Sequence, residues 1–393
     1  MSEWKVLTAE DFCDSVRDGT HDTPKQVECG YKLVTAKHIS NGQIDLSDAY
    51  LISESDYLKI NERSKVERWD VLMSMIGNGL GKSAVVKDNP QYAIKNLALF
   101  KIGDETRAKW LHYYLSSNKG QGFIYNSLQG SGQPFISLSL LRKFPIPVPD
   151  DEKIMRKVVA TLSRYDSLIE NYQKQIKLLE EAAQRLYKEW FVNLHFPGHE
   201  NTKIVDGVPE GWEKKRLSDI ANIIMGQSPK SEFYNTEGDG IPFHQGVGSY
   251  GYRFVVDNVY STSFTRIAEP NSILFSVRAP VGRLNITKNK IVIGRGLASI
   301  NHKMGYQSYL YYLLKEKFFK DNIIGNGAIF ASISKDELYN LVFFIPSDEI
   351  VKRYDAIANK IDKNIQYVDS QIRLLTEARD RLLPKLMGGE IAV

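Results

Sequence analysis

The sequence predicts an α+β protein in which two duplicated, mixed α/β heads alternate with two long helices that pair with each other. Two observations carry this. Along residues 153–192 the apolar positions Val158, Leu162, Tyr165, Ile169, Tyr172, Ile176, Leu179, Ala183, Leu186 and Trp190 are separated by alternating steps of four and three. That is the a/d seam of a coiled coil, and a helix of about 40 residues at 1.5 Å each is roughly 60 Å long. Such a helix cannot bury its seam alone. The same steps recur from Tyr354 through Ala358, Ile361, Ile365, Val368, Ile372, Leu375, Arg379, Leu382 and Leu386, at a constant offset of 196 residues. Only Arg379 breaks the apolar character, opposite Ala183. Gln175-Ile176-Lys177-Leu178-Leu179 also reads against Gln371-Ile372-Arg373-Leu374-Leu375. An internal duplication explains the match better than two unrelated amphipathic helices.

The remaining elements follow in chain order. Trp4 to Phe12 is short and amphipathic, with Leu7 and Phe12 on one face, and a polar loop follows at 17–24. Residues 31–34 are expected to form a strand. Residues 69–76 are apolar nearly throughout, as in a strand buried on both faces. Further strands are expected at 84–86 and 98–102. Residues 104–117 read as a helix with Trp110, Leu111, Tyr114 and Leu115 on one stripe. After the loop Gly130-Ser131-Gly132-Gln133-Pro134, the proline spacing of 144–149 makes an extended lead into the long helix. That helix is expected to stop at His195-Phe196-Pro197-Gly198.

The second half repeats the plan. Trp212 and Leu217-Ser218-Asp219-Ile220 resemble the start of the chain, and 271–277 resembles 69–76. Tyr311-Tyr312-Leu313 reads against Tyr113-Tyr114-Leu115, and 325–332 against 130–137. The expected divisions are a first head at 1–149, a helix at 150–195, a second head at 196–346 and a helix at 347–393. Similarity is weak in the head interiors, especially 25–65 against 230–263. A duplication that keeps its helices and changes its heads suggests two modules of one task, each reading something different.

With 393 residues the chain holds two ordinary domains, and 42% hydrophobic with 25% charged residues is the balance of a soluble globular protein. The net charge of +4 and pI of about 8.7 are mildly basic. They fall short of the pI above ~9 that marks a nucleic-acid binder by charge alone. Cys13 and Cys29, with no secretory or transit signal, read as free thiols in a reducing cytoplasm. No run reaches the ~18 apolar residues of a membrane span.

Several motifs invite an enzyme reading and fail on detail. Gly77-Asn78-Gly79-Leu80-Gly81-Lys82-Ser83 resembles a phosphate loop, but Gly77 leaves three residues before Gly-Lys-Ser where four are required, and strand-like Ala84-Val85-Val86 follows instead of a helix. A strand-to-strand turn is the better reading. Asn89-Pro90-Gln91-Tyr92 is similar to the loop of DNA amino-methyltransferases but lacks its second proline. No Gly-x-Gly opens a helix after a strand. His195 and His199 flank Pro197-Gly198, with no cysteine or carboxylate set to complete a metal site. Asp150-Asp151-Glu152-Lys153 is the charged first turn a helix prefers. No catalytic centre and no metal site are expected.

Polar, glycine-punctuated loops at matching places in both heads point instead to a reader of DNA. Candidates in the first head are Thr20, His21, Lys37, His38, Asn78, Lys82, Ser83, Gln129, Ser131 and Gln133. In the second they are Gln227, Lys230, His244, Gln245, Arg278, Arg283, Arg295 and Asn326. Arg reads guanine and Asn or Gln reads adenine through paired hydrogen bonds, while Lys mostly holds phosphate.

The closing stretch Arg379-Asp380-Arg381-Leu382-Leu383-Pro384-Lys385-Leu386-Met387-Gly388-Gly389-Glu390-Ile391 resembles the C-terminal signature of the specificity subunits of type I restriction–modification systems. Gly207-Val208-Pro209-Glu210-Gly211-Trp212-Glu213 resembles the opening motif of their target-recognition domains. The first head departs by starting directly at Trp4 without that motif. The resemblance covers the whole chain. It implies two target-recognition domains, each reading half of a split, asymmetric DNA site in the major groove. It implies an antiparallel coiled coil with pseudo-two-fold symmetry that sets the gap between the halves. It further implies docking of two methylation subunits, which carry the S-adenosylmethionine, and of two restriction subunits, which use ATP and Mg, with the outer helix faces at 170–188 and 363–385 helping to hold partners. This chain would bind no cofactor. Two other functions stay compatible with the residues: a self-contained DNA adenine methyltransferase, and a coiled-coil scaffold whose heads bind protein.

Overall fold

A computed structural model describes residues 4–40, 42–130, 134–318 and 332–391, without the side chain of Asn78. The chain forms two compact units, residues 1–171 with 372–393, and residues 172–371. The long helices Glu152–Tyr187 and Asp348–Met387 each contribute one part to each unit.

In the first unit Trp4–Thr8 is a strand, paired antiparallel with Pro145–Pro149. Prolines at alternate positions put their missing N–H groups on one edge, which a two-stranded ladder tolerates when that edge faces away from the partner. The short amphipathic stretch up to Phe12 thus divides into the Trp4–Thr8 strand and a one-turn helix, Ala9–Phe12, where the Thr8 hydroxyl accepts from the Asp11 N–H. A four-stranded antiparallel sheet follows in the order Ser15–Asp18, Leu97–Lys101, Val71–Ser74, Ser83–Val85. Val71–Ser74 is buried throughout, as its unbroken apolar run predicts. A second sheet places Tyr31–Val34 between Leu51–Ile52 and Tyr92–Ile94, the last in parallel. Helix Glu105–Ser116, capped by Asp104, buries Trp110 and Leu111.

The second unit repeats this plan. Glu213–Arg216 pairs with Val342–Ile345 and leads into the one-turn helix Leu217–Ile220. The main sheet has the matching order Ala221–Met225, Leu297–His302, Ile273–Ser276, Leu284–Ile286. Ile241–His244 runs parallel to Ile291–Ile293, and helix Gln307–Phe318 follows.

The contacts adjust two of the expected alignments. Tyr113 donates to Asp166 at 2.5 Å, and Tyr312 donates to Asp362 at 3.1 Å. The two acceptors are one helix repeat apart, so Tyr113 corresponds to Tyr312, and the match of Tyr311-Tyr312-Leu313 with Tyr113-Tyr114-Leu115 slips by one residue. A slip of one rotates a helix by about 100° and would turn the buried tyrosine away from its carboxylate. Likewise Ser137 and Ser334 are the N-caps of the one-turn helices Leu138–Arg142 and Lys335–Tyr339, so Ser137 corresponds to Ser334 and not to Ser332. Most of the 325–332 stretch lies outside the described residues.

No residue of the helix seam is exposed; all are buried or half-buried. In the first unit Val158 and Leu162 share one core with Leu383 and Leu386, and Arg379 Nη1 lies 2.8 Å from Asp166 Oδ1. In the second, the Tyr354 hydroxyl donates to the Ala183 carbonyl at 3.1 Å. Within each unit, then, the early part of one helix meets the late part of the other, and the two run antiparallel. The first helix passes at Tyr187 into a single π-turn, Lys188–Val192, before Leu194 takes a positive φ and Pro197 ends the segment.

Candidate nucleic-acid interface

The strand registers gather most candidate residues at one end of each main sheet. In the first unit Ala98 faces Asp18, Leu97 faces Ser74, and Met73 faces Ser83. The segments leaving those positions therefore start from the same sheet edge. They are the 19–21 turn, the 95–96 turn and the hairpin 75–82. In the second unit Met225 faces Ala298, Ser276 faces Leu297, and Phe275 faces Leu284, which brings 226–228, 294–296 and the hairpin 277–283 together.

Two positions in this end are occupied equivalently in both units. The Thr20 N–H donates to Ile94 O at 3.0 Å, and the Gln227 N–H donates to Ile293 O at 2.9 Å. Thr20 and Gln227 are thus the same place, next to Asn96 and Arg295. In the hairpins the Ser74 N–H donates to Lys82 O, and the Ser276 N–H donates to Arg283 O. Each of these exposed cations follows a glycine with positive φ, Gly81 at 80° and Gly282 at 84°. The glycine loop of the first unit is the strand-to-strand turn that its spacing predicts, with Val71–Ser74 and Ser83–Val85 antiparallel on either side. Gln129 joins the same edge, because its neighbour in pairing, Phe135, bridges Ile76; Arg278 makes the matching bridge with Ser332.

Around residues 294–296 three candidates converge. The Arg295 N–H donates to Ser228 Oγ at 3.3 Å, and the Gly296 N–H donates to Gln245 O at 3.2 Å. A Cβ on Gly296 would stand 2.4 Å from Gln245 O, so only glycine allows that approach. Gln227, Gln245 and Arg295 all present exposed side chains. In the first unit His21 contacts Asn96 Oδ1 at 2.9 Å and Asp18 Oδ2 at 3.1 Å, while Arg63 Nη2 meets Asp18 Oδ1 at 2.6 Å. Asn96, Arg63 and Lys95 are members of this edge that the sequence reading missed. The parallel pairing of Tyr31–Val34 with Tyr92–Ile94 brings Lys95 and Asn96 there, and the last turn of helix Glu54–Ser64 brings Arg63 to Asp18; no local pattern announces either.

The other candidates are placed differently. Lys37 is exposed but paired with Asp48 at 2.8 Å, and Lys230 lies 3.7 Å from Glu232. Three candidates are interior and do not present a side chain to a ligand. His38 is 1% exposed and accepts the Thr35 N–H on Nδ1; burial holds its imidazole below the usual histidine value, against the opposing pull of Asp48. His244 is 1% exposed between Ser249 Oγ and Asp257 Oδ1. Ser83 is buried and 2.9 Å from His112 Nδ1. Each of these lies next to an exposed polar residue in sequence, Lys37, Gln245 or Lys82, so its loop context does not reveal that the side chain turns inward. Ser131, Gln133 and Asn326, and the side chain of Asn78, lie outside the described residues. Tyr92 of the Asn89–Tyr92 stretch is a buried strand residue, 6% exposed. Among the described residues no group of three His, Cys, Asp or Glu is placed to hold a metal ion, and no helix is long and apolar enough to cross a membrane.

Residues 1–181 and 209–381 both match the family model of the type I restriction modification DNA specificity domain. The chain belongs to the type I restriction–modification DNA specificity family. The two matched stretches are the two repeats described above. Among the family's members, a protein of Methanocaldococcus jannaschii assigned as the MjaX type I restriction enzyme specificity subunit is 28% identical, over all of this chain and 94% of its own length. The HindI type I restriction enzyme specificity subunit of Haemophilus influenzae is 22% identical over the full length of both chains. The crystal structure of a type I restriction–modification S subunit from M. genitalium shares the fold at a TM-score of 0.54 and 17% identity, covering 98% of this chain and 96% of that one.

Proposed function

We propose that this chain is the DNA-reading subunit of a type I restriction–modification complex, without a catalytic centre of its own. Each unit reads one half of a bipartite, asymmetric site in the major groove. The observation that carries this is the repeated sheet edge. Lys82 and Arg283 occupy the same backbone position and keep a cation in each hairpin, while Thr20 and Gln227 occupy another shared position with different polar side chains. Equivalent frames with different polar groups are what two half-sites of different sequence require. Lysine and arginine in the hairpins would hold phosphate, and Gln227, Gln245 and Arg295 would read base edges. The paired helices set the spacer: one DNA turn, ~34 Å, fits within the roughly 54 Å of a 36-residue helix.

The duplicated helices also supply two similar docking faces for two methylation subunits. Leu178 and Leu374 sit one repeat apart and are 65% and 49% exposed, the kind of apolar outer position that a partner covers. On this reading S-adenosylmethionine is held by the methylation subunits and ATP with Mg by two restriction subunits. The complex methylates adenine and restricts unmodified DNA.

Co-expression with a methylation subunit, followed by native mass measurement and mapping of methylated adenines, tests the proposal. Two partners per chain and adenines modified in a bipartite motif are expected. A chain that stays alone, or that methylates DNA unaided, overturns it. In the assembled complex Arg295→Ala should relax one half-site only, at a cost of about 1–3 kcal/mol. Lys82→Ala should weaken binding evenly across sequences and reduce the salt slope by about 1.

A further inference from the structure

The second unit contains a cleft of about 460 Å³ beside its hairpin, lined among others by Tyr250, Tyr252, Asn285, Tyr311 and Lys315. Two of its polar atoms are buried without a partner. Asn285 is 2% exposed; its Nδ2 donates to Gly251 O at 2.9 Å, while Oδ1 accepts nothing. The Tyr250 hydroxyl is likewise buried and unpaired. Leaving such groups unmatched is costly, and native proteins do so mainly where something else completes them. Asn285 Oδ1 calls for an N–H or O–H donor, and the Tyr250 hydroxyl can give or accept.

The charges around the cleft lean positive. Lys315 is held in the wall, with its side chain 24% exposed and Nζ 3.7 Å from Glu180 Oε2. That carboxylate is already shared with Arg253, whose Nη1 lies 3.3 Å from Glu180 Oε1. Arg283 of the hairpin completes the rim. Three tyrosines supply aromatic surface, on which a planar base can stack. An anionic group, N–H donors on the base edge and a flat aromatic body are the features of a nucleotide, and the cleft is within the usual size range of small-molecule sites.

We propose that this cleft is a nucleotide site, with the phosphate toward Lys315 and Arg283 and the base edge against Asn285 Oδ1 and the Tyr250 hydroxyl. The nucleotide has two sources. A free mononucleotide needs nothing from the DNA-reading proposal, whereas a nucleotide everted from DNA rests on it, since the cleft shares its hairpin with the candidate DNA edge.

Calorimetric titration of the full chain with adenosine and cytidine monophosphates, adenosine and inorganic phosphate tests this. A monophosphate should bind saturably with a Kd of about 1 mM or below, and inorganic phosphate more weakly. Lys315→Gln should weaken the monophosphate about tenfold and leave adenosine unchanged. Tyr250→Phe should weaken both, with no loss of thermal stability, because its hydroxyl has no partner in the free protein. In the assembled complex, competition between the monophosphate and a duplex carrying the methylated motif identifies an everted nucleotide, and independent binding identifies a free one. Absence of saturable binding up to about 10 mM, or binding unaffected by both substitutions, overturns the site.

Discussion

The same carboxylate is neutralised in two different ways in the two units. Asp166 and Asp362 stand at equivalent helix positions, and each accepts a hydrogen bond from the equivalent tyrosine, Tyr113 or Tyr312. In the first unit the cation is Arg379, contributed by the other long helix and 28% exposed at its side chain. In the second it is Arg253, contributed by the head and 2% exposed. Arg253 Nη2 lies 2.7 Å from Asp362 Oδ1, Nη1 reaches Glu180, and the guanidinium sits 3.5 Å over the Tyr311 ring. This explains why Arg379 interrupts an apolar seam while Ala183 fills the matching place. With Arg253 present, the second unit needs no cation from the helix, and Ala183 leaves its carbonyl to Tyr354. The two repeats therefore share the carboxylate–tyrosine anchor and differ in whether the helix or the head supplies its counter-ion.

The difference sets unequal sensitivities. Arg253→Met leaves Glu180 and Asp362 in a buried site with one cation fewer, and should destabilise the second unit by about 3–5 kcal/mol. Urea unfolding followed by hydrogen exchange should localise the loss to residues 172–371. Arg379→Ala removes a half-solvated pair and should cost only about 1 kcal/mol in the same assay. Equal costs at the two sites would remove the contrast.

Acid acts on each unit through a buried histidine, at positions that are not equivalent in the two repeats. Burial pushes His112 in the first unit and His302 in the second down to about 4, from an ordinary 6.5. In both, the folded state binds fewer protons than the unfolded state between those values. The contribution is fully present above about pH 6.5 and is lost as pH falls toward 4. The residue equivalent to His112 is Tyr311, which does not titrate in this window. His112→Gln should therefore flatten the acid limb of the stability profile by up to one proton's slope and leave the part due to His302. The smallest expected effect is that of Tyr354→Phe, about 1 kcal/mol in denaturant unfolding, for the single hydrogen bond to Ala183.

The long helices, the duplication and the buried strand at 71–74 were legible because their signals are periodic and local. The alignment of the shorter helices slipped by one or two residues because apolar Tyr and Leu are interchangeable in a pattern, while hydrogen bonds to Asp166 and caps such as Ser334 are not. Loop composition points to Lys82, Arg283, Gln227, Gln245 and Arg295, and the structure leaves all five exposed. His38, His244 and Ser83 were placed among them because composition does not say which way a loop residue turns. Asn96 reaches that end through parallel strand pairing and Arg63 through the last turn of helix Glu54–Ser64, contacts between segments far apart in sequence that no local pattern marks. The buried Arg253, on a polar loop with no periodicity, carried no signal at all.

That the first unit takes its last part from residues 372–393 has a consequence for the order of synthesis. When residue 171 has been made, the core face of Val158 and Leu162 still lacks Leu383 and Leu386. At about 5–20 residues per second, the missing segment follows roughly 10–40 s later. The unit that begins first on the ribosome is completed last, and until then its half-helix offers an apolar stripe to whatever protein is nearby.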